Sequence, residues 1–154
     1  LRPHPEHFKR SISIIKKIEK LFSNNKNFIL DSSLSNLKSL EKSEILITDN
    51  SSIVFEFMLI FKRPIIYIDY KGKIHNKESE NITIKTIDEE FKNIFGNVLN
   101  ISKIKNLPAL CESLINDNTV SNEKVSLFFE KYLSNLNESA NFASNYLINK
   151  SKDN

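Results

Sequence analysis

Ile45-Leu46-Ile47-Thr48-Asp49-Asn50-Ser51-Ser52-Ile53-Val54-Phe55-Glu56 sets an apolar run, a polar turn and a second apolar run end to end. The first run is short and continuous, so it reads as a buried strand. The second runs on to Phe61 and is apolar on nearly all sides, so 53–61 reads as a buried helix. Pro64 stops that helix, and Ile65-Ile66-Tyr67-Ile68 reads as the next strand. Strand, helix and strand in this order, with continuous rather than alternating apolar strands, argue for an α/β fold. Its parallel sheet would be covered by helices on both faces.

Upstream, Phe8, Ile12, Ile15, Ile18 and Phe22 recur at three- and four-residue spacing, with Lys9, Lys16, Lys17 and Lys20 on the other side. That spacing predicts one amphipathic helix over 6–22. Phe28-Ile29-Leu30 reads as a short buried strand, and Leu34, Leu37 and Leu40 mark a short helix. Downstream, 70–79 is polar and reads as a loop, while Ile82 and Ile84 alternate as an edge strand would. A helix is predicted over 87–95, with Gly96 as its C-terminal cap. Pro108 suits the first turn of a helix ending near Asn116. Helices over 122–136 and 138–150 complete an all-helical C-terminal tail. No internal repeat or low-complexity linker is visible, so 1–150 is expected to be a single domain and 151–154 a frayed end.

Composition narrows the function classes. The 154 residues are 40% hydrophobic and 27% charged, which suits one globular domain with a real core. No run approaches the roughly 18 apolar residues of a membrane span. The net charge of +3 comes from interspersed charges, so no nucleic-acid partner is inferred. Cys111 is the single cysteine, which excludes an intramolecular disulfide and a cysteine-based zinc cage; no metal site is expected. The two glycines, Gly72 and Gly96, allow neither a Gly-x-Gly-x-x-Gly fingerprint nor a P-loop. The opening Leu1-Arg2-Pro3-His4-Pro5 reads as the middle of a longer chain, so an excised fragment is expected.

The turn after Ile47 is the first candidate site. In a parallel sheet it lies at the carboxyl edge, where ligands bind. The helix that follows presents unpaired N–H groups and the positive end of its dipole, a ready anion site. Ser51 and Ser52 add two hydroxyls there. The competing reading is a plain helix cap, because Asp, Asn and Ser are preferred at that position. Glu56 lies four residues after Ser52 on the same helix face. Its apolar neighbours imply that it needs a partner, either a ribose hydroxyl or an Arg or Lys of the protein. The second candidate is His4, stiffened by Pro3 and Pro5. It reads as a fixed general base or phosphate ligand, or else as an exposed turn residue. His7 and His75 read as surface residues. Lys16 and Lys17 leave a membrane-surface or scaffold role as a further reading, against that of an ordinary solvated face.

Together, Arg2-Pro3-His4-Pro5, the segment Leu46-Ile47-Thr48-Asp49-Asn50-Ser51-Ser52-Ile53-Val54-Phe55-Glu56 about forty residues on, and Lys62-Arg63-Pro64-Ile65-Ile66-Tyr67 resemble one family. They are similar to the C-terminal domain of CDP-glycerol:poly(glycerophosphate) glycerophosphotransferases, whose pattern is His-Pro, then Thr-Asp-x-Ser-Ser, then Lys-x-Pro-Ile. The match covers about residues 1–70. The resemblance implies a GT-B fold of two Rossmann-like domains, with this chain as the half that binds the nucleotide donor. It implies attack by an acceptor hydroxyl on the β-phosphorus of CDP-glycerol, with CMP leaving. Carried over, Ser51 and Ser52 would hold the donor phosphates, with Arg2 as a further phosphate contact. His4 would act there as acid/base or charge stabiliser. Asp49 would brace the loop, and Glu56 would support it or contact the ribose.

No tightly bound cofactor is implied, only CDP-glycerol or another nucleotide-diphosphate donor. The partners implied are that donor and a polymer or lipid-linked acceptor held by an N-terminal domain. The location implied is the cytoplasm, extending to peripheral association with the cytoplasmic face of the inner membrane. By itself the fragment is expected to be inactive. Two alternatives stand beside this reading: a GT-B glycosyltransferase using a nucleotide sugar for lipopolysaccharide or capsule, and a non-catalytic nucleotide- or anion-binding module.

Overall fold

A computed structural model describes residues 1–33, 35–69, 85–117 and 120–152. The expectations placed on Leu34, on 70–79 and on Ile82 and Ile84 lie outside them. The chain divides into two units, Leu1–Ser43 and Glu44–Asn154.

In the first unit the apolar stripe over 6–22 belongs to two helices, not one: α1 (Pro5–Arg10) and α2 (Ile12–Phe22). Ser11 leaves helical geometry at φ −140°, ψ 33°. Ser11 N–H still donates to His7 C=O at 2.9 Å, and Ser11 C=O accepts from Ile14 and Ile15 at 3.0 and 3.3 Å. The break therefore consumes a single residue and leaves the apolar spacing undisturbed, which is why periodicity misses it. A serine is poorly placed to resist such a break, because it bonds readily to nearby backbone in non-helical conformations. Phe28-Ile29-Leu30 is not a strand. Ile29 is 73% exposed, and Phe28 stacks on Phe22 with ring centroids 4.8 Å apart. The run meets the chain start only around Leu1, whose nitrogen donates to Ile29 C=O at 2.7 Å and whose carbonyl accepts from Asp31 at 2.9 Å. A short helix, α3 (Leu37–Glu41), buries Leu40.

The second unit is built on a three-stranded parallel sheet in the order β1 (Leu46–Thr48), β2 (Ile65–Asp69), β3 (Gly96–Asn100). Consecutive residues Ile65, Ile66 and Tyr67 are at most 4% exposed. Side chains alternate across a strand, so both faces of β2 are covered. Helix α4 (Ile53–Phe61) joins β1 to β2, and α5 (Ile87–Phe95) leads straight into β3. Lys62 ends α4 with a left-handed backbone at φ 51°. The start of α5 is fixed by a reciprocal cap: Thr86 Oγ1 accepts from Glu89 N–H, and Glu89 accepts from Thr86 N–H. After β3 a 3₁₀ turn leads into α6 (Leu107–Asp117), then come α7 (Asn122–Tyr132) and α8 (Ser139–Lys152).

Three of these helices meet in an aromatic cluster. Phe91 of α5 is fully buried, 4.7 Å from Phe55 of α4 and 5.3 Å from Phe128 of α7, centroid to centroid. Lys131 and Tyr132 of α7 both donate to the Glu90 carboxylate of α5, at 2.8 and 2.5 Å. These bonds hold the Glu90 carboxyl below its ordinary pKa, the Lys131 bond contributing most.

Three boundaries differ from the sequence reading. Strand β3 was not predicted, since Gly96 reads as a stop and only Val98 and Leu99 are apolar. Helix α7 ends at Tyr132 rather than near Leu136, because Leu133 takes extended backbone at φ −110°, ψ 119°, and left-handed Asn135 and Asn137 follow at φ 54° and 67°. Helix α8 runs on to Lys152, with the Ser151 hydroxyl donating to Ile148 C=O at 2.8 Å, and 153–154 lie outside the described residues.

Burial, with the Asp88 charge second, pushes the Tyr67 hydroxyl up from 10.0 to about 12. A group that keeps its proton more tightly when folded adds stability that is complete below pH 10 and is lost between pH 10 and about 12. Denaturant titrations across this window should show wild type losing about 2–3 kcal/mol more than Tyr67→Phe. Parallel curves would contradict the burial of this hydroxyl.

Candidate functional site at the β1–α4 turn

The β1–α4 turn is local in origin. Strand β1 ends when the apolar run gives way to Asp49-Asn50-Ser51-Ser52, and α4 begins at Ile53. Thr48 pairs with Tyr67 in the parallel register, which puts the turn at the carboxyl edge of the sheet. Val54 and Phe55 donate to the carbonyls of Ser51 and Ser52 at 3.4 and 3.1 Å, the first main-chain bonds of the helix. Ser52 is the N-cap residue, but it takes helical φ and ψ and its hydroxyl makes no capping bond. Its side chain is exposed, whereas Ser51 is half-buried.

Asp49 is exposed in the same turn. Glu56 is also exposed, one helical turn on from Ser52, while Val54, Phe57 and Met58 are buried.

Asp69 is a residue the sequence reading passed over. It ends β2 at the same edge, opposite Asn100, and lies 3.6 Å from Lys92 Nζ of α5. Lys92 also lies over the Tyr67 ring, 5.3 Å from its centroid. The available signal was an acidic residue closing a buried strand.

Arg2 and His4 belong to the other unit. The Arg2 guanidinium is engaged by protein acceptors: Asp31 at 2.7 Å, the Ser33 carbonyl at 2.7 Å, the Ser33 hydroxyl at 3.1 Å and the Ser35 carbonyl at 3.3 Å. Sequence reasoning missed these acceptors because they lie about thirty residues away in the chain. His4 is the N-cap of α1 and is exposed. Its Nδ1 accepts from Glu6 N–H at 3.2 Å. That acceptor role assigns the neutral ring's proton to Nε2, so the outward nitrogen is a donor.

Among the described residues no group of three or more His, Cys, Asp or Glu side chains could hold a metal ion. Nor is any helix among them long and apolar enough to cross a membrane.

Neither a curated protein nor a solved structure matches the chain. A family pattern described as CDP-Glycerol:Poly(glycerophosphate) glycerophosphotransferase matches residues 1–141, which takes in β1, the Asp49–Ser52 turn, the parallel sheet and all of α1 to α7. The chain therefore belongs to the CDP-glycerol:poly(glycerophosphate) glycerophosphotransferase family of transferases.

Proposed function

We propose that this chain binds the nucleotide-diphosphate donor, CDP-glycerol, in a glycerophosphotransferase that extends a cell-surface polymer. The observation that carries the reading is the exposed Ser52 hydroxyl, not used as a helix cap, at the N-terminus of α4 and the carboxyl edge of a parallel sheet. Main-chain N–H groups, the helix dipole and the Ser51 and Ser52 hydroxyls offer donors to a diphosphate without a glycine-rich loop. Phosphoryl transfer needs little more from a protein than positioning and charge stabilisation. The oxygen of the acceptor hydroxyl attacks the β-phosphorus, the bond from that phosphorus to the bridging oxygen breaks, CMP leaves, and the hydroxyl proton is released to solvent. With Nδ1 occupied by Glu6, His4 serves best as an Nε2–H donor to a phosphate oxygen. To act as a base through Nε2 it would first have to carry its proton on Nδ1 instead and give up the bond from Glu6 N–H. Because the Arg2 guanidinium is held by Asp31 and Ser33, Arg2 is assigned to bracing rather than to phosphate contact. Asp49 would brace the turn, and Glu56 would support it or contact the ribose. The acceptor, on a polymer or lipid carrier, would be held by another domain at the cytoplasmic face of the membrane.

The test is titration of CDP-glycerol, CMP, UDP and a UDP-sugar into isotope-labelled protein, following amide signals. CDP-glycerol should move the amides of residues 48–54 more than CMP does. Ser52→Ala should weaken its binding about tenfold, the loss of one hydrogen bond to a charged oxygen. Shifts confined to other residues would overturn the placement of the site. Larger shifts with the UDP-sugar would favour the glycosyltransferase reading.

A further inference from the structure

In the neutral ring the bond from Glu6 N–H to Nδ1 favours the tautomer that presents Nε2 as a donor, and something must hold the ring there. The ring is exposed and not clamped by burial. What is fixed is the chain leading into it. Pro3 and Pro5 restrict the backbone on either side, and His4 takes the extended geometry a following proline requires, φ −59°, ψ 141°. Leu1 is bonded to Ile29 and Asp31 through its main chain, at 2.7 and 2.9 Å. Arg2 is bonded through its guanidinium to Asp31, Ser33 and Ser35.

Asp31 is where these ties converge. One oxygen accepts from Arg2 Nη1 and from the Ser39 hydroxyl of α3. The other accepts from Ser33 N–H at 2.9 Å and from the Ser33 hydroxyl at 2.6 Å. Bonds from Ser33 and Ser39, ahead of the Arg2 contribution, hold its carboxyl far below the ordinary carboxylate range. The carboxylate is thus kept charged and aimed at Arg2. The intervening Pro3 gives the chain little freedom to swing between the clamped Arg2 and His4.

We propose that Asp31 is a positioning residue for His4: by clamping Arg2 it sets the backbone that keeps the imidazole on Glu6 and its Nε2 proton outward. The inference rests on the reading of His4 as a donor-phosphate contact. Its test, however, reads the imidazole without ligand, so the two ideas can fail separately.

The experiment is a long-range proton–nitrogen correlation spectrum of the histidine rings in the whole chain, recorded with the rings neutral. Wild type should show His4 as the Nε2–H form, with Glu6 N–H protected from exchange. In Asp31→Ala the two His4 nitrogens should shift toward each other as the second tautomer fills, and Glu6 protection should drop about tenfold. His7, which lies in α1 beyond the cap, should keep its wild-type signals. Ser39→Ala removes one bond to Asp31 and should show the same change more weakly, giving a second reading if Asp31→Ala does not fold. Unchanged His4 signals in a folded variant would overturn the proposal, as would equal changes at His4 and His7. If His4 changes tautomer while affinity for CDP-glycerol holds, Asp31 positions His4 but His4 does not contact the donor.

Discussion

Phe91→Ala should be the most damaging single truncation, lowering stability by about 3–5 kcal/mol. Phe91 is fully buried. Its ring lies within 6.3 Å, centroid to centroid, of Phe55, Phe95, Phe128 and Phe129, and so touches α4, α5 and α7 at once. Removing it costs the transfer of a whole aromatic side chain and leaves a hole that three helices cannot close together. Set against a total of about 5–15 kcal/mol for an ordinary domain, that is a large fraction. A fall in melting temperature of about 10–15 °C would follow, read by circular dichroism. Phe91→Leu should recover more than half of the loss, since it refills most of the volume. A drop below about 1 kcal/mol for Phe91→Ala would mean that these helices do not share a core.

Gly96→Ala should cost nearly as much, about 3 kcal/mol, although it adds only a methyl group. A Cβ at this position would fall 2.5 Å from the Lys92 carbonyl oxygen and 2.7 Å from the Tyr67 ring. The carbonyl is backbone inside α5 and cannot turn aside. The Tyr67 ring is buried beneath Lys92. Either α5 would shift along β3 or Tyr67 would leave its place, and both disturb the junction that brings Lys92 toward Asp69. Equilibrium denaturation gives the number directly. A variant within about 0.5 kcal/mol of wild type would show that the helix and strand separate freely here.

The need for a glycine here is not the usual one at a helix end. Sequence reasoning placed Gly96 at the end of α5 as its cap, which is where it lies, and a glycine in that place is commonly left-handed. The observed φ of −86° and ψ of 131° are open to any residue. What requires glycine is the close approach of the Lys92 carbonyl and the Tyr67 ring, neither of which a sequence window can show.

The sequence by itself determined β1, α4 and β2, because their signals are local. Three short apolar runs of the right length, a polar turn and Pro64 leave the chain little choice there. It likewise determined the Asp49–Ser52 turn, and with it the candidate site, since strand, turn and helix N-terminus are neighbours in the chain. The tertiary structure alone decided the rest. Strand β3 has only Val98 and Leu99 to mark it and exists because β2 offers a ladder beside it. Phe28-Ile29-Leu30 has the composition of a strand but, among the described residues, meets the chain at Leu1 without forming one. Arg2 reads as a candidate phosphate contact, and nothing beside it in the chain shows that Asp31, 29 residues on, is brought against it. Apolar period and turn chemistry are written over a few residues. Pairing partners, close approaches and the occupancy of a charged side chain depend on residues brought together from far along the chain, which only folding specifies.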